Sequence, residues 1–186
     1  MIRQAINYRL ECTQCGKCCT KGTESSSTFL YIDDIEKISH TLNISVLDFL
    51  HQYADINAYN FENSEGALVK TIRIVLKGSP SCIFLKENLC SINHSKPFIC
   101  EHGPFLKNIM DNSEEWNYWL NMCEGLQLDD CSTSEQKDKL LSIEDIEQLQ
   151  NKKEAHYFEK THSRMENEYT RFINNSKVKH TTTIKI

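Results

Sequence analysis

Four of the chain's nine cysteines fall within eight residues, in the run Cys12-Thr13-Gln14-Cys15-Gly16-Lys17-Cys18-Cys19. A stretch this dense in thiols constrains the fold more than any apolar pattern in the chain, because its backbone must wind around a common centre. Gly16 can take a left-handed backbone angle and let the loop turn back on itself. Four more cysteines follow at wider intervals, Cys82, Cys90, Cys100 and Cys123. The ninth, Cys131, reads as a free cysteine.

Disulfides are a poor explanation. An odd number of cysteines does not close a disulfide framework. Residues 1–9 carry Arg3 and Arg9 but no apolar core of a signal peptide. The expected compartment is therefore the cytoplasm, where thiols stay reduced. Thiolate ligation of a metal is the remaining common reason for such density. Two chemistries fit. Cys12-x2-Cys15-x2-Cys18 resembles the ligand run of a [4Fe–4S] cluster, in which each thiolate serves a different iron. A single Zn2+ takes four ligands in a tetrahedron and commonly draws Cys-x2-Cys pairs from two places. The close spacing tilts the expectation towards iron–sulfur. Adjacent side chains usually diverge, so Cys18 and Cys19 are expected to serve different metals, or one of them to be a supporting thiol. The eight cysteines complete either two four-thiolate sites or one cluster with spare thiols.

Composition narrows the rest. The net charge is −5 and the isoelectric point about 5.8, which disfavours nucleic acid as a partner. No apolar run reaches membrane-spanning length, and residues 67–76 are broken by Lys70, Thr71 and Arg73. The expectation is no nucleic acid, no membrane and an unidentified protein partner at most. A mean hydropathy of −0.51 implies a modest core for the length, a weakness that metal crosslinks offset.

Local patterns place the elements. Asp33 with Glu36, and Ser45 with Asp48, read as capping pairs. Ile32, Ile35, Ile38 and Leu42 then share one helical face. This predicts short helices over 33–42 and 46–53. Residues 67–77 alternate as a strand ended by Gly78-Ser79-Pro80. Residues 82–90 form a candidate hairpin, with a polar turn at Lys86-Glu87-Asn88, bringing Cys82 near Cys90. A helix starts at Ser113 and runs towards Cys123, with Gly125 near its end. Residues 134–174 read as one or two charged, solvent-facing helices with a narrow apolar stripe, and residues 176–186 as a flexible tail. The expected organisation is a cysteine domain over 10–131, a helical extension over 132–175 and the tail. The expected class is α+β: short helices and a small antiparallel hairpin around the cysteine centre.

Cys-x2-Cys-Gly-x-Cys-Cys, the helix pair after it, Cys82-Ile83-Phe84-Leu85, Cys90, Pro97, Cys100 and Cys123-x-Gly125 together resemble the YkgJ-type cysteine cluster family, the CxxCxxCC domain described as chelating zinc or iron. The resemblance spans about residues 10–125. It implies a metal-chelating domain, often iron–sulfur-containing, with Cys12, Cys15, Cys18, Cys19, Cys82, Cys90, Cys100 and Cys123 as metal-site residues. A related pattern occurs in flagellin lysine methylases. Two positions depart from the usual family form: Lys96-Pro97 replaces Arg-Pro, and Cys100-Glu101 replaces Cys-Arg.

Three functional readings follow, in this order. The first is a thiolate protein carrying an iron–sulfur cluster or Zn2+ with a structural or electron-transfer role. The second is a metal-dependent protein-modifying enzyme of the lysine methylase kind; no Gly-rich nucleotide loop supports it. The third is an interaction module that uses the charged C-terminal helices. His94 and His102 flank Cys100 but read as surface or hydrogen-bonding histidines, since eight thiols suffice. Trp116, Tyr118 and Trp119 read as core aromatics.

Overall fold

The computed structural model describes residues 8–20, 28–62, 68–78, 81–128, 142–163 and 165–184. Cys131, and the part of the C-terminal helical reading over 134–141, lie outside the described residues. The chain is an α+β protein, as expected. Its elements run β1 (Tyr8–Leu10), α1 (Lys17–Thr20), α2 (Ile32–Leu42), α3 (Val46–Tyr53), β2 (Ala54–Glu62), β3 (Leu68–Leu76), β4 (Leu85–Lys86), β5 (Leu89–Cys90), α4 (Phe98–His102), α5 (Lys107–Met110), α6 (Ser113–Met122), β6 (Leu126–Leu128), α7 (Ile143–Thr161), α8 (Glu168–Asn175) and β7 (Val178–Ile184). Among the described residues, no helix is long and apolar enough to cross a membrane.

The helix pair forms where its pattern places it. Ile32, Ile35 and Ile38 of α2 and Phe49 and Leu50 of α3 are fully buried in one core. Ser45 caps α3 by accepting the Asp48 amide at 3.1 Å. At α2 the capping carboxylate is Asp34 rather than Asp33. Asp34 accepts the Tyr31 amide at 3.1 Å and the Phe98 amide at 2.9 Å, so it ties the start of α2 to the start of α4. Burial pushes its pKa up, against the pull of those two amides.

Asp33 instead faces α7. It binds Lys153 Nζ at 2.8 Å and His156 Nδ1 at 2.9 Å. Partial burial would raise its carboxyl, but the hydrogen bonds and charges of Lys153 and His156 outweigh this and hold its pKa below the ordinary value. A carboxylate with a depressed folded pKa contributes stability above its unfolded pKa, and loses it as pH falls through the folded value. Asp33→Asn should therefore lower the melting temperature at neutral pH. The gap to wild type should shrink as pH drops from about 5 to about 2. A gap independent of pH in thermal melts would contradict this.

Two strands of the three-stranded sheet were not legible in the sequence. β2 pairs antiparallel with β3 along nine residues, Ala54 with Leu76 through Glu62 with Leu68. Asp55, Asn57 and Asn60 have low strand propensity and hide it, but pairing with an apolar β3 overrides that preference. β7 pairs parallel with β2, giving the order β3-β2-β7. The tail expected over 176–186 thus carries a strand, built on Val178, Thr181, Thr182, Thr183 and Ile184, whose β-branching favours extended backbone. The expected hairpin is present: β4 and β5 pair through Leu85 with Cys90 and Lys86 with Leu89. Glu87 and Asn88 both have positive φ, 49° and 65°, the requirement of a two-residue type I′ turn.

The C-terminal helices are also corrected. They form, but they do not simply face solvent. Ile146, Tyr157, Tyr169 and Phe172 are buried in the common core. The apolar stripe is carried as much by aromatics and Thr161 as by aliphatic residues, which an aliphatic count underrates.

Candidate metal centre

The cysteines sit on short elements that the rest of the fold brings together. Cys12 and Cys15 lie in the loop after β1, and Cys18 and Cys19 in α1. Cys82 precedes the β4–β5 hairpin, and Cys90 ends it. Cys100 is in α4, and Cys123 caps the end of α6.

Backbone contacts fix this arrangement. Cys82 donates its amide to Cys19 O at 2.8 Å. Glu11 donates to Gly125 O at 2.9 Å, which lays the start of the cysteine loop along the turn after Cys123. Lys17 binds Glu124 at 2.6 Å, closing the same junction. Gly16 adopts φ 73°, the left-handed angle expected of it, and a Cβ there would stand 3.2 Å from Asn88 O in the hairpin turn. At Gly125 a Cβ would fall 2.1 Å from Glu11 O. Backbone cannot give way as a side chain does, so Gly125→Ala should displace the cysteine loop. Overpacking of this kind costs about 1–3 kcal/mol. The expected outcome is weaker metal retention, measured as zinc or iron lost to a competing chelator, with α2, α3 and the sheet intact by circular dichroism.

Two of the thiols face each other. Cys18 Sγ and Cys19 Sγ are 3.8 Å apart, so the expectation that these neighbours diverge is overturned. One turn of helix and free χ1 rotation let both sulfurs swing to the same side. Their protons are shared unequally: the hydrogen bond from Cys19 draws Cys18 down to about 7, and the same bond, with burial, pushes Cys19 up. Burial also raises Cys82, Cys90, Cys100 and Cys123, and negative charge on neighbouring thiols adds to it. Cys19 is opposed by Cys18, Cys82 and Cys100. Cys90 is opposed by Cys12 and Cys18, and Cys123 by Cys18 and Cys15. A coordinating metal removes a thiol proton outright. The donor set therefore suits a soft metal in number and chemistry. Among the described residues, no three His, Cys, Asp or Glu side chains are already placed to hold an ion, so loading requires side-chain rotation. Cys12 and Cys18 are exposed and the other six half-buried, which leaves an entry path.

The sequence reading missed several neighbours of the thiols. Lys96, noticed only as a departure from Arg, lends positive charge to Cys18 and Cys90. Thr28 Oγ1 lies 4.0 Å from Cys100 Sγ, and no motif marks it. Glu101, the other departure, stands 4.0 Å from Lys37. His102 packs on Phe98 with ring centroids 4.5 Å apart, and His94 is exposed. Trp116 is buried as expected; Tyr118 is exposed and Trp119 half-buried. Two surface cavities of about 320 and 350 Å³ are lined by residues of β3, α7 and α8 and by α7 alone, and neither is lined by a cysteine.

A family model named CxxCxxCC, with the description "Putative zinc- or iron-chelating domain", matches residues 11–124, a span holding all eight of these cysteines. No curated protein and no solved structure matches the chain.

Proposed function

We propose that this chain, which belongs to the CxxCxxCC family, is a thiolate metal-binding protein in which Cys12, Cys15, Cys18, Cys19, Cys82, Cys90, Cys100 and Cys123 hold zinc or iron in a structural role. The observation that carries this reading is the set of contacts that join the cysteine-bearing segments: Cys18 Sγ to Cys19 Sγ at 3.8 Å, the Cys82 amide to Cys19 O at 2.8 Å, and the Glu11 amide to Gly125 O at 2.9 Å, beside Cys123. Bound metal would supply the missing positive charge and crosslink the loop, α1, the hairpin, α4 and α6. These elements are too short to persist alone: α1 has 4 residues and β4 has 2.

The 3.8 Å between Cys18 Sγ and Cys19 Sγ favours zinc for that pair. A tetrahedral site with Zn–S bonds of about 2.3 Å has sulfur–sulfur edges of about 3.8 Å. Thiolates on different irons of one cluster point away from separate corners and stand farther apart. The Cys12-x2-Cys15-x2-Cys18 spacing supports the iron–sulfur alternative, in which an electron-transfer role replaces the structural one. Anaerobic purification followed by zinc, iron and acid-labile sulfide analysis separates the two. Stoichiometric zinc without sulfide is the expected result. Iron with sulfide transfers the reading to the cluster, and a metal-free protein with eight reactive thiols ends it.

A further inference from the structure

We infer that the eight thiols divide into two adjoining four-thiolate sets, Cys12, Cys15, Cys90 and Cys123 in one and Cys18, Cys19, Cys82 and Cys100 in the other, each holding one tetrahedral metal ion. The inference rests on the metal-binding reading above and adds to it the number of centres and the membership of each.

The first set follows from how the cysteine loop is seated. The Glu11 amide reaches Gly125 O at 2.9 Å, and a Cβ on Gly125 would lie 3.4 Å from Cys12 Cα. Cys12 therefore runs beside the turn that Cys123 begins. The next cysteine, Cys15, precedes Gly16, which abuts Asn88 O in the hairpin turn two residues before Cys90. The Cys12-x2-Cys15 pair is thus flanked by Cys123 on one side and Cys90 on the other. A Cys-x2-Cys pair completed by two distant cysteines is an ordinary zinc arrangement.

The second set follows from α1. The Cys18 and Cys19 sulfurs already span one edge of a tetrahedral thiolate site, 3.8 Å. The backbone of Cys82 is bonded to that of Cys19 at 2.8 Å. Thr28 lies against the Cys100 sulfur at 4.0 Å; its carbonyl accepts the Leu76 amide at 2.8 Å, and the next residue, Lys77, accepts the Ile83 amide at 3.3 Å, beside Cys82.

The test uses the full chain purified with zinc. Native mass spectrometry counts bound Zn2+, and alkylation with peptide mapping reports which thiols are free. Wild type should hold two zinc ions with all eight cysteines protected. Cys123→Ser should lose one of the two ions and free Cys12, Cys15 and Cys90 while the other four stay protected. Cys100→Ser should do the reverse, freeing Cys18, Cys19 and Cys82. Should a variant fail to fold, graded chelation of wild type decides: the thiols must become reactive as two blocks of four with this membership. A single block of eight, or blocks with other members, overturns the division while the metal reading stands. One iron–sulfur cluster in place of two ions does the same. A wild-type chain that holds no metal, with all eight thiols reactive, overturns both.

Discussion

Stripping the metal with a strong chelator is expected to unfold the cysteine-bearing segments while much of the helix pair and sheet survives. The asymmetry comes from where the apolar burial lies. α2, α3, β2 and β3 share Ile32, Ile35, Ile38, Phe49, Leu50, Ile56 and Ile74, each 0 or 1% exposed, and β2–β3 holds nine paired residues. The loop after β1, by contrast, contributes no buried residue except Gly16, and α1 none at all. β1–β6 and β4–β5 are ribbons of three and two paired residues, below what is stable alone. Structural zinc in small domains contributes about 10–16 kcal/mol of apparent binding free energy, as much as the whole stability of a typical domain. Hydrogen exchange should show protection lost over 8–20 and 85–91 after chelation, with protection retained in α2, α3 and β2–β3. Equal protection with and without metal would mean that the thiols do not hold the fold.

What the sequence disclosed, and what it hid, divides along physical lines. Helices α2 and α3 were legible because caps and a 3.6-residue apolar period are local signals, although the wrong aspartate was assigned to the first cap. Asp33 and Asp34 are chemically identical. Only the arrival of the Phe98 amide and of Lys153, from distant segments, assigns them different work. β2 and β7 were not legible because their polar residues suit a strand only once β3 and the core surround them. At the candidate metal centre the residue types were legible directly from the sequence, since thiols at such density and in odd number have few common uses besides metal ligation. Their grouping was not, because spacing along the chain does not report that Cys82 bonds Cys19 or that Glu11 bonds Gly125. The rule that adjacent side chains diverge also misled at Cys18 and Cys19, where rotamer freedom outweighs it.

Replacing Tyr157 by alanine is expected to be the most damaging single change outside the cysteines. The residue is 0% exposed, and α7 is fastened to the sheet through it. Its hydroxyl accepts the Ile74 amide at 2.9 Å and donates to Ile72 O at 3.2 Å, on the edge of β3 where Phe29 bridges Val75. Its ring lies 5.0 Å from the Arg73 guanidinium, which is itself paired with Glu154 at 2.7 Å. Removing a buried aromatic costs about 3–5 kcal/mol. The orphaned Ile74 amide adds about 1–3 kcal/mol. Together these approach the stability of a typical domain. At about 2–4 °C per kcal/mol for a chain of this size, the melting temperature should fall by about 10 °C or more. Tyr157→Phe keeps the ring and loses only the hydroxyl, so it isolates the second contribution and should cost about 1–3 kcal/mol. Urea melts of the two variants separate packing from hydrogen bonding. Near-equal losses would show that the hydroxyl's bonds to β3, not the ring, fasten α7, and no loss in either would show that α7 is not held through Tyr157.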